Sequence, residues 1–427
     1  MVYYNKLYKQ KDEQMYIQKV LSNGIKVVAE HVPFVQSVSL GVWVANGSRY
    51  EKEEENGISH FIEHMLFKGT EKRTAEQIAV EMDSVGGQLN AFTTREYTCF
   101  YAKTLNDYAE KAMDILSDMV FCPELSKENM DLERRVVLEE IAMYEDSPED
   151  VVYDLFAETV WRDTAMGRTI LGTPEALSAV TPDSMRGYMK KHYTSKSIVL
   201  AATGNFGDDF FDKLDEHFGQ RGIGSDIPAL TGAEYKAANA VRKRDFEQVQ
   251  LVAGFEGIDV FDESVYALLV FNNVFGSGMS SRLFQNIREK YGLTYSIGAG
   301  HSAYIGTGTF DISAAVSPEN TAVVAELIAK EIKRIKSEGL TEDEIERAKI
   351  QLRGNYLLAN ENVGARMQAI GRTALLGRPL RTQDEVIGLV MSVGRGDVMD
   401  VIDRILNTDT LSVIAAGPID SVEGLFS

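Results

Sequence analysis

The element order between residues 15 and 202 returns after residue 240, and a chain that repeats itself this way folds as two related units. Residues 15–32 read as a strand, a turn at Ser22-Asn23-Gly24 and a second strand from Ile25 to Glu30. Val38, Leu40, Val42 and Val44 alternate with Ser39, Gly41 and Trp43, the mark of a half-buried strand. An acidic loop, Glu51-Lys52-Glu53-Glu54-Glu55, leads into a short helix. A second helix, Thr74 to Val85, carries the stripe Ala75, Ile78, Ala79 and Met82 and stops at Gly86-Gly87. Strands from Gln88 to Phe92 and Tyr97 to Lys103 follow, then helices from Asp107 to Val120 and Lys127 to Tyr144. Ser147-Pro148 opens another helix, and Ser197 to Ala202 is a strand. Gly219 to Asn239 has no pattern and reads as a linker.

Beyond it, Val249, Leu251 and Ala253 alternate as residues 38–44 do, and Gly278 to Phe284 opens a helix as Gly57 to His60 does. Ser317-Pro318-Glu319 starts a long helix ending near Gly339, and Leu340-Thr341-Glu342 echoes Leu125-Ser126-Lys127. Two ordinary α+β domains matching by accident is the alternative. Agreement in order, spacing and capping residues favours duplication. At 427 residues the chain is in any case too long for one core.

The chemistry-bearing stretch runs from Asn56 to Gly69 and reads as one short helix, with Asn56 as its cap and Gly69 in the left-handed conformation past its end. Ile58, Phe61, Ile62, Met65 and Leu66 form the buried stripe. His60, Glu63 and His64 fall on the other face, because a helix turns ~100° per residue. Imidazoles four residues apart project side by side and can grip one metal ion, with the Glu between them. This is H-x-x-E-H, the inverse of H-E-x-x-H, in which two His hold Zn²⁺ and the Glu takes a proton from the attacking water. A helix that merely carries two His and a Glu is the bland alternative, which six His in the whole chain make a rare accident. Aligning Gly57 on Gly278 sets Ser281 opposite His60, Phe284 opposite Glu63 and Gln285 opposite His64; aligning Leu125 on Leu340 sets Asn355 opposite Glu140. The second half therefore lacks the metal-binding groups and must serve another purpose.

A catalytic zinc needs a third protein ligand and an open position. Glu133 and Glu140, two turns apart, share one face of the Lys127–Tyr144 helix, and spacing does not choose between them. A solvated acidic face is the competing reading. Other function classes are narrower still. A net charge of −20 argues against nucleic acid and suits a basic peptide, although such charge is usually plain surface. No apolar run approaches a membrane span, and Met1 to Gln10 lacks the apolar core of a signal peptide, so the cytoplasm is the expected location. Cys99 and Cys122 form no C-x-x-C pair and fit a reduced compartment as small buried residues.

His60-x-x-Glu63-His64 together with Glu133-Arg134-Arg135-Val136-Val137-Leu138-Glu139-Glu140-Ile141 resembles the zinc peptidases of the pitrilysin and insulinase clan. The likeness covers nearly the whole chain and is strongest to the short branch that includes the mitochondrial processing peptidase β-subunit and its bacterial relatives. It implies an α+β chain of two duplicated domains, each an antiparallel-rich sheet with helices packed on it: residues 1–220 with the metal, residues 240–427 without. It implies Glu140 as third zinc ligand and Glu133 as the residue orienting the site, with one Zn²⁺ per chain. Gly86 to Thr93 resembles the family's substrate-binding edge strand, where Asn90, Ala91 and Phe92 would contact an extended peptide. Arg288 and Tyr295 match the family's Arg-x₆-Tyr pair, which binds the substrate backbone and supports the oxyanion; read alone, they are surface residues. The implied activity is zinc-dependent endopeptidase action on extended or unfolded peptides within a chamber of homologous domains. This chain supplies half such a chamber, so a homodimer or a heterodimer with a related subunit is expected. The alternative is a non-catalytic scaffold or partner subunit of a processing-peptidase-like complex.

Overall fold

The computed structural model describes residues 16–222, 224, 226 and 228–426. The reading of residues 1–15 and of Ile223, Ser225 and Ile227 in the linker lies outside the described residues. In the first half the strands are β1 (Ile17–Val20), β2 (Lys26–His31), β3 (Ser37–Val44), β4 (Gln88–Thr93), β5 (Thr98–Leu105) and β6 (Ile198–Gly204). Its helices are α1 (Ile58–Leu66), α2 (Ala75–Asp83), α3 (Ala109–Phe121), α4 (Lys127–Glu145), α5 (Pro148–Val160), α6 (Pro174–Ala179), α7 (Pro182–His192) and α8 (Phe210–Phe218). The second half has β7 (Ala240–Lys243), β8 (Val249–Glu256), β9 (Thr294–Tyr304), β10 (Thr307–Val316) and β11 (Ser412–Gly417). Its helices are α9 (Val265–Phe275), α10 (Thr321–Glu338), α11 (Glu342–Ala359), α12 (Val363–Leu375), α13 (Gln383–Ser392) and α14 (Arg395–Ile405).

The first sheet runs β1-β2-β6-β3-β5-β4 and the second β7-β11-β8-β10-β9. Apart from β1, the two orders are the same path. In each, one parallel pair (β2 with β6, β7 with β11) adjoins three antiparallel strands. Backbone detail repeats as well. Gly57 and Gly278 have φ of 90° and 89°, and Gly204 and Gly417, closing β6 and β11, have 143° and 138°. Ser126 and Thr341 cap α4 and α11 with their side chains.

The inner face of the first sheet packs Val38, Leu40, Val42 and Val44 against the apolar stripe of α1 and against α3 and α7. The outer faces are covered by exchange. Met367 and Ile370 of α12, from the second half, sit on Val28, Trp43 and Val199 of the first sheet. Val152 and Phe156 of α5, from the first half, belong to one cluster with Val252, Ile414 and Ala416 of the second sheet. Each half thus lends a helix to the other. The linker is docked over residues 233–236. Ala233 and Tyr235 are buried, Tyr235 donates to Ser412 Oγ at 2.9 Å, and Lys236 N–H bonds to Val160 O.

Three local expectations change. Asn56 does not cap α1; the cap residue is Gly57, at a left-handed φ that a side chain resists. The Glu51 carboxylate does the capping from outside, accepting from Gly57 N (2.8 Å), Ser59 N (2.8 Å) and Asn56 Nδ2 (3.1 Å). In α2, Ile78 and Met82 are buried but Ala79 is exposed. Cys99 is buried, whereas Cys122 is half-buried beside the Arg221 guanidinium.

Candidate metal centre

Helix α1 holds its site against the core by its apolar stripe: Ile58, Phe61, Ile62, Met65 and Leu66 are all 2% exposed or less. This leaves His60 and His64 on the face that meets α4, their ring centroids 4.6 Å apart. From α4, Glu140 Oε2 lies 3.4 Å from His64 Nε2 and 3.7 Å from His60 Nε2. Ligand atoms of these three residues lie within 4.8 Å of one another, the one such group of three or more among the described residues. No hydrogen bond joins Glu140 to either ring among them. Donors on a tetrahedral zinc with bonds of ~2.0–2.1 Å stand about 3.3 Å apart. Both distances from Glu140 to the imidazole nitrogens are close to that spacing, and the three residues fit that ion.

Glu133, two turns earlier on the same face of α4, takes the other side of His64. Its Oε1 is 2.9 Å from His64 Nδ1, and its Oε2 is 2.7 Å from Lys68 Nζ. A carboxylate on Nδ1 fixes the ring with Nε2 toward the metal position. The two acidic residues that spacing left undecided thus occupy different places: Glu140 faces the Nε2 atoms and Glu133 faces Nδ1. Burial works against a charged Glu133, but the His64 and Lys68 hydrogen bonds outweigh it and hold its carboxyl below the usual range. Burial also opposes protonation of His64, and there the Glu133 bond and the charges of Glu140, Glu133 and Glu63 prevail and raise it. Among the described residues the His60 Nδ1 has no such partner; burial, with the neighbouring His64, pushes it down to about 4, so it is a neutral imidazole ready to donate a lone pair.

Glu63 stands on the same face. Burial raises its carboxyl, the Glu140 charge adds to this, and the Thr93 hydroxyl and His64 oppose it. Thr93 ends β4, the outermost strand of the first sheet, whose far side has no partner strand among the described residues. Asn90 Oδ1 accepts the N–H of Ala91 at 2.8 Å, so the edge satisfies itself locally. The Phe92 ring packs on Trp43 and Tyr101, on the outer face under α12, so only its backbone shares the edge.

Arg288 and Tyr295 lie elsewhere. Arg288 sits in a π-helical turn, Phe284–Glu289, its guanidinium 4.5 Å from the Phe284 ring and 5.0 Å from the Tyr295 ring. Tyr295 is 78% exposed at the start of β9. Among the described residues no hydrogen bond or ring contact joins either to His60, Glu63, His64 or Glu140. Three contributors carried no sequence signal of their own: Glu51, one of four acids in its loop; Lys68, past the end of α1; and Thr93, traceable only as the residue sharing the Leu89 and Ala91 face of β4.

Residues 26–174 match the model of insulinase (peptidase family M16), and residues 179–352 match that of the peptidase M16 inactive domain. A protein of Bacillus subtilis named uncharacterized zinc protease YmxG is 40% identical over 87% of this chain and 91% of its own length. The chain belongs to peptidase family M16. An uncharacterized zinc protease of Streptomyces coelicolor is 38% identical over 93% of this chain and 89% of its own. Two solved structures share the fold. A protease from Helicobacter pylori superimposes with a TM-score of 0.88 at 20% identity, covering 94% of this chain and 99% of that one. A peptidase M16 inactive domain from Pseudomonas fluorescens gives 0.88 at 18%, covering 96% and 99%. The family assignment accounts for the two mixed sheets with their helices. No helix among the described residues is long and apolar enough to cross a membrane.

Proposed function

We propose that this M16 chain is a zinc endopeptidase acting on extended or unfolded peptides. The observation that carries the reading is the convergence of His60 Nε2, His64 Nε2 and a Glu140 oxygen beside Glu63. His60, His64 and Glu140 would hold one Zn²⁺ per chain, which when bound supplies Lewis-acid polarisation of water and the scissile carbonyl. Glu133 keeps the His64 ring turned for that task. An extended substrate adds to the open side of β4 through its backbone, where Asn90 Oδ1 must release the Ala91 N–H. Glu63 takes a proton from the attacking water and delivers one to the leaving amine as the C–N bond breaks. Its burial keeps its carboxyl basic enough for that exchange.

Arg288 and Tyr295 serve the substrate backbone and the oxyanion in a homodimer, each chain completing the other's site. Their position supports this. Ile305, at the other end of β9, is bonded to Glu96 in the turn after β4, and β9 sets Tyr295 roughly 30 Å from that anchor. Four homologous domains from two chains then enclose a chamber that admits unfolded chains and excludes folded ones. We place the work in the cytoplasm, where the two unpaired cysteines stay reduced.

The deciding experiment is metal analysis with a quenched-peptide assay on wild type and Glu63→Gln. Wild type is expected to carry zinc and cleave; Glu63→Gln is expected to carry zinc and not cleave. A zinc-loaded, active Glu63→Gln protein refutes the assigned role. Mixing Glu63→Gln with Arg288→Ala/Tyr295→Ala chains is expected to restore part of the activity; no recovery, with subunit exchange demonstrated, refutes sharing between chains.

A further inference from the structure

We infer that Thr93 is a positioning residue: its hydroxyl fixes which oxygen of Glu63 faces the reacting water, and so ties the base to the strand on which substrate docks. This deepens the peptidase reading and rests on it. The residues 89, 91 and 93 of β4 share one sheet face, and Leu89 and Ala91 pack there against the core that holds α1. Thr93 therefore points toward α1, and its Oγ1 donates to Glu63 Oε2 at 2.5 Å. It is the one hydrogen-bond donor to Glu63 among the described residues.

The direction of that bond follows from counting protons. A hydroxyl has one to give. Thr98 Oγ1 spends its own on the Asn46 carbonyl at 2.9 Å, and it sits 3.4 Å from Thr93 Oγ1. Thr98 therefore has none for Thr93, and the ionised carboxylate of Glu63, much the nearer, can only accept; Thr93 donates to Oε2, which leaves Oε1 as the oxygen that takes the proton. A β-branched residue in a strand holds its χ1 firmly, so the donor stays where the strand puts it. Because Thr93 is the last residue of the same edge strand, a shift of β4 on peptide addition moves the hydroxyl with it. Base alignment and substrate docking then share a single side chain.

The test compares Thr93→Val, which keeps the shape and the strand preference but loses the proton, with Thr93→Ser, which keeps the proton. Substrate is one internally quenched, unstructured peptide that wild type cleaves; zinc content and zinc affinity by chelator competition are measured alongside. A positioned base contributes ~10²–10⁴-fold, and losing only its alignment is expected to lower kcat about 10- to 100-fold in Thr93→Val. KM, zinc content and zinc affinity are expected to stay within about twofold, and Thr93→Ser to recover most of kcat. A Thr93→Val enzyme with wild-type kcat overturns the role. So does one whose zinc affinity falls, or whose KM rises as its kcat drops, because the residue then only supports the scaffold. Zinc-loaded wild type that cleaves no peptide sinks the peptidase reading and this role together, an outcome distinct from the others.

Discussion

Arg49→Met tests the junction between the halves. The Arg49 and Glu96 side chains are 5% and 4% exposed and their charged atoms are 2.6 Å apart. The same guanidinium donates to Ile305 O at 2.9 Å and to Thr231 O in the docked linker, and Glu96 Oε1 also accepts from Ile305 N at 2.8 Å. One buried pair therefore joins the β4–β5 turn, the tip of the β9–β10 hairpin and the linker. Burial alone pushes the Glu96 carboxyl up, with the Ile305 N–H and Arg49 opposing it. Removing the guanidinium leaves a carboxylate with one backbone donor in a water-poor place, a loss of about 3–5 kcal/mol. With an unfolding entropy of ~2.1 cal/mol/K per residue, 427 residues melting as one unit convert about 4 kcal/mol into a Tm drop of roughly 4–5 °C. If the halves melt separately, the affected one drops by about twice that. Calorimetry reads the shift, and hydrogen exchange at the Ile305 amide reads its location. Arg49→Met/Glu96→Leu, which removes both charges, is expected to recover about half of the loss. A Tm within about 1 °C of wild type for Arg49→Met, or a double variant equal to the sum of the singles, refutes the reasoning.

Three further outcomes are expected. Lys68→Met frees Glu133 from its second anchor and should weaken zinc binding about tenfold in a chelator competition; unchanged affinity would mean that Glu133 is held by His64 alone. Burial pushes the Glu51 carboxyl up to about 7, against hydrogen bonds from Ser59 and Gly57. A carboxyl raised on folding contributes fully below its unfolded value of 4.5 and loses that contribution as pH climbs through about 7. Wild type should therefore lose about 3 kcal/mol between pH 4.5 and 8 that Glu51→Gln does not lose, and parallel stability curves would contradict this. Two helical glycines should respond with opposite sign to Ala: a Cβ on Gly371 meets the Trp43 ring, whereas one on Gly354 meets nothing within 4 Å. Gly371→Ala should lower stability by about 1–2 kcal/mol and Gly354→Ala raise it by up to about 1 kcal/mol; equal shifts would refute the packing of α12 on the first sheet.

What was legible in the sequence was local. His60, Glu63 and His64 are bound to one face by helical periodicity, and the alternation of Val38, Leu40, Val42 and Val44 shows one sheet face before any partner is known. The duplicated order also survives in capping residues, because a cap answers to its own helix. Glu140 is different. It lies 76 residues beyond His64, and nothing in an acidic face distinguishes the carboxylate that meets Nε2 from the one that meets Nδ1. Glu51 is hidden for the same reason: four acids share its loop, and only the tertiary path of the chain brings one of them over the start of α1.

The exchange of α5 and α12 marks the limit of reading stripes. An amphipathic stripe says that a helix needs an apolar surface, not which sheet provides it, and both sheets here have an uncovered outer face of the same kind. Each half covers the other's. The consequence reaches the site. Trp43, under α12, belongs to β3, one strand removed from β4 across β5; Phe92, on β4 itself, packs against Trp43. The strand that carries Thr93 is therefore braced from behind by a helix of the other half. In the second half the counterpart of α1 is the π-helical segment that sets Arg288 between Phe284 and Tyr295. One half brings His60, His64 and Glu140 together; the other supplies the brace behind the edge strand and the exposed Arg–Tyr pair, so neither half alone presents the whole set.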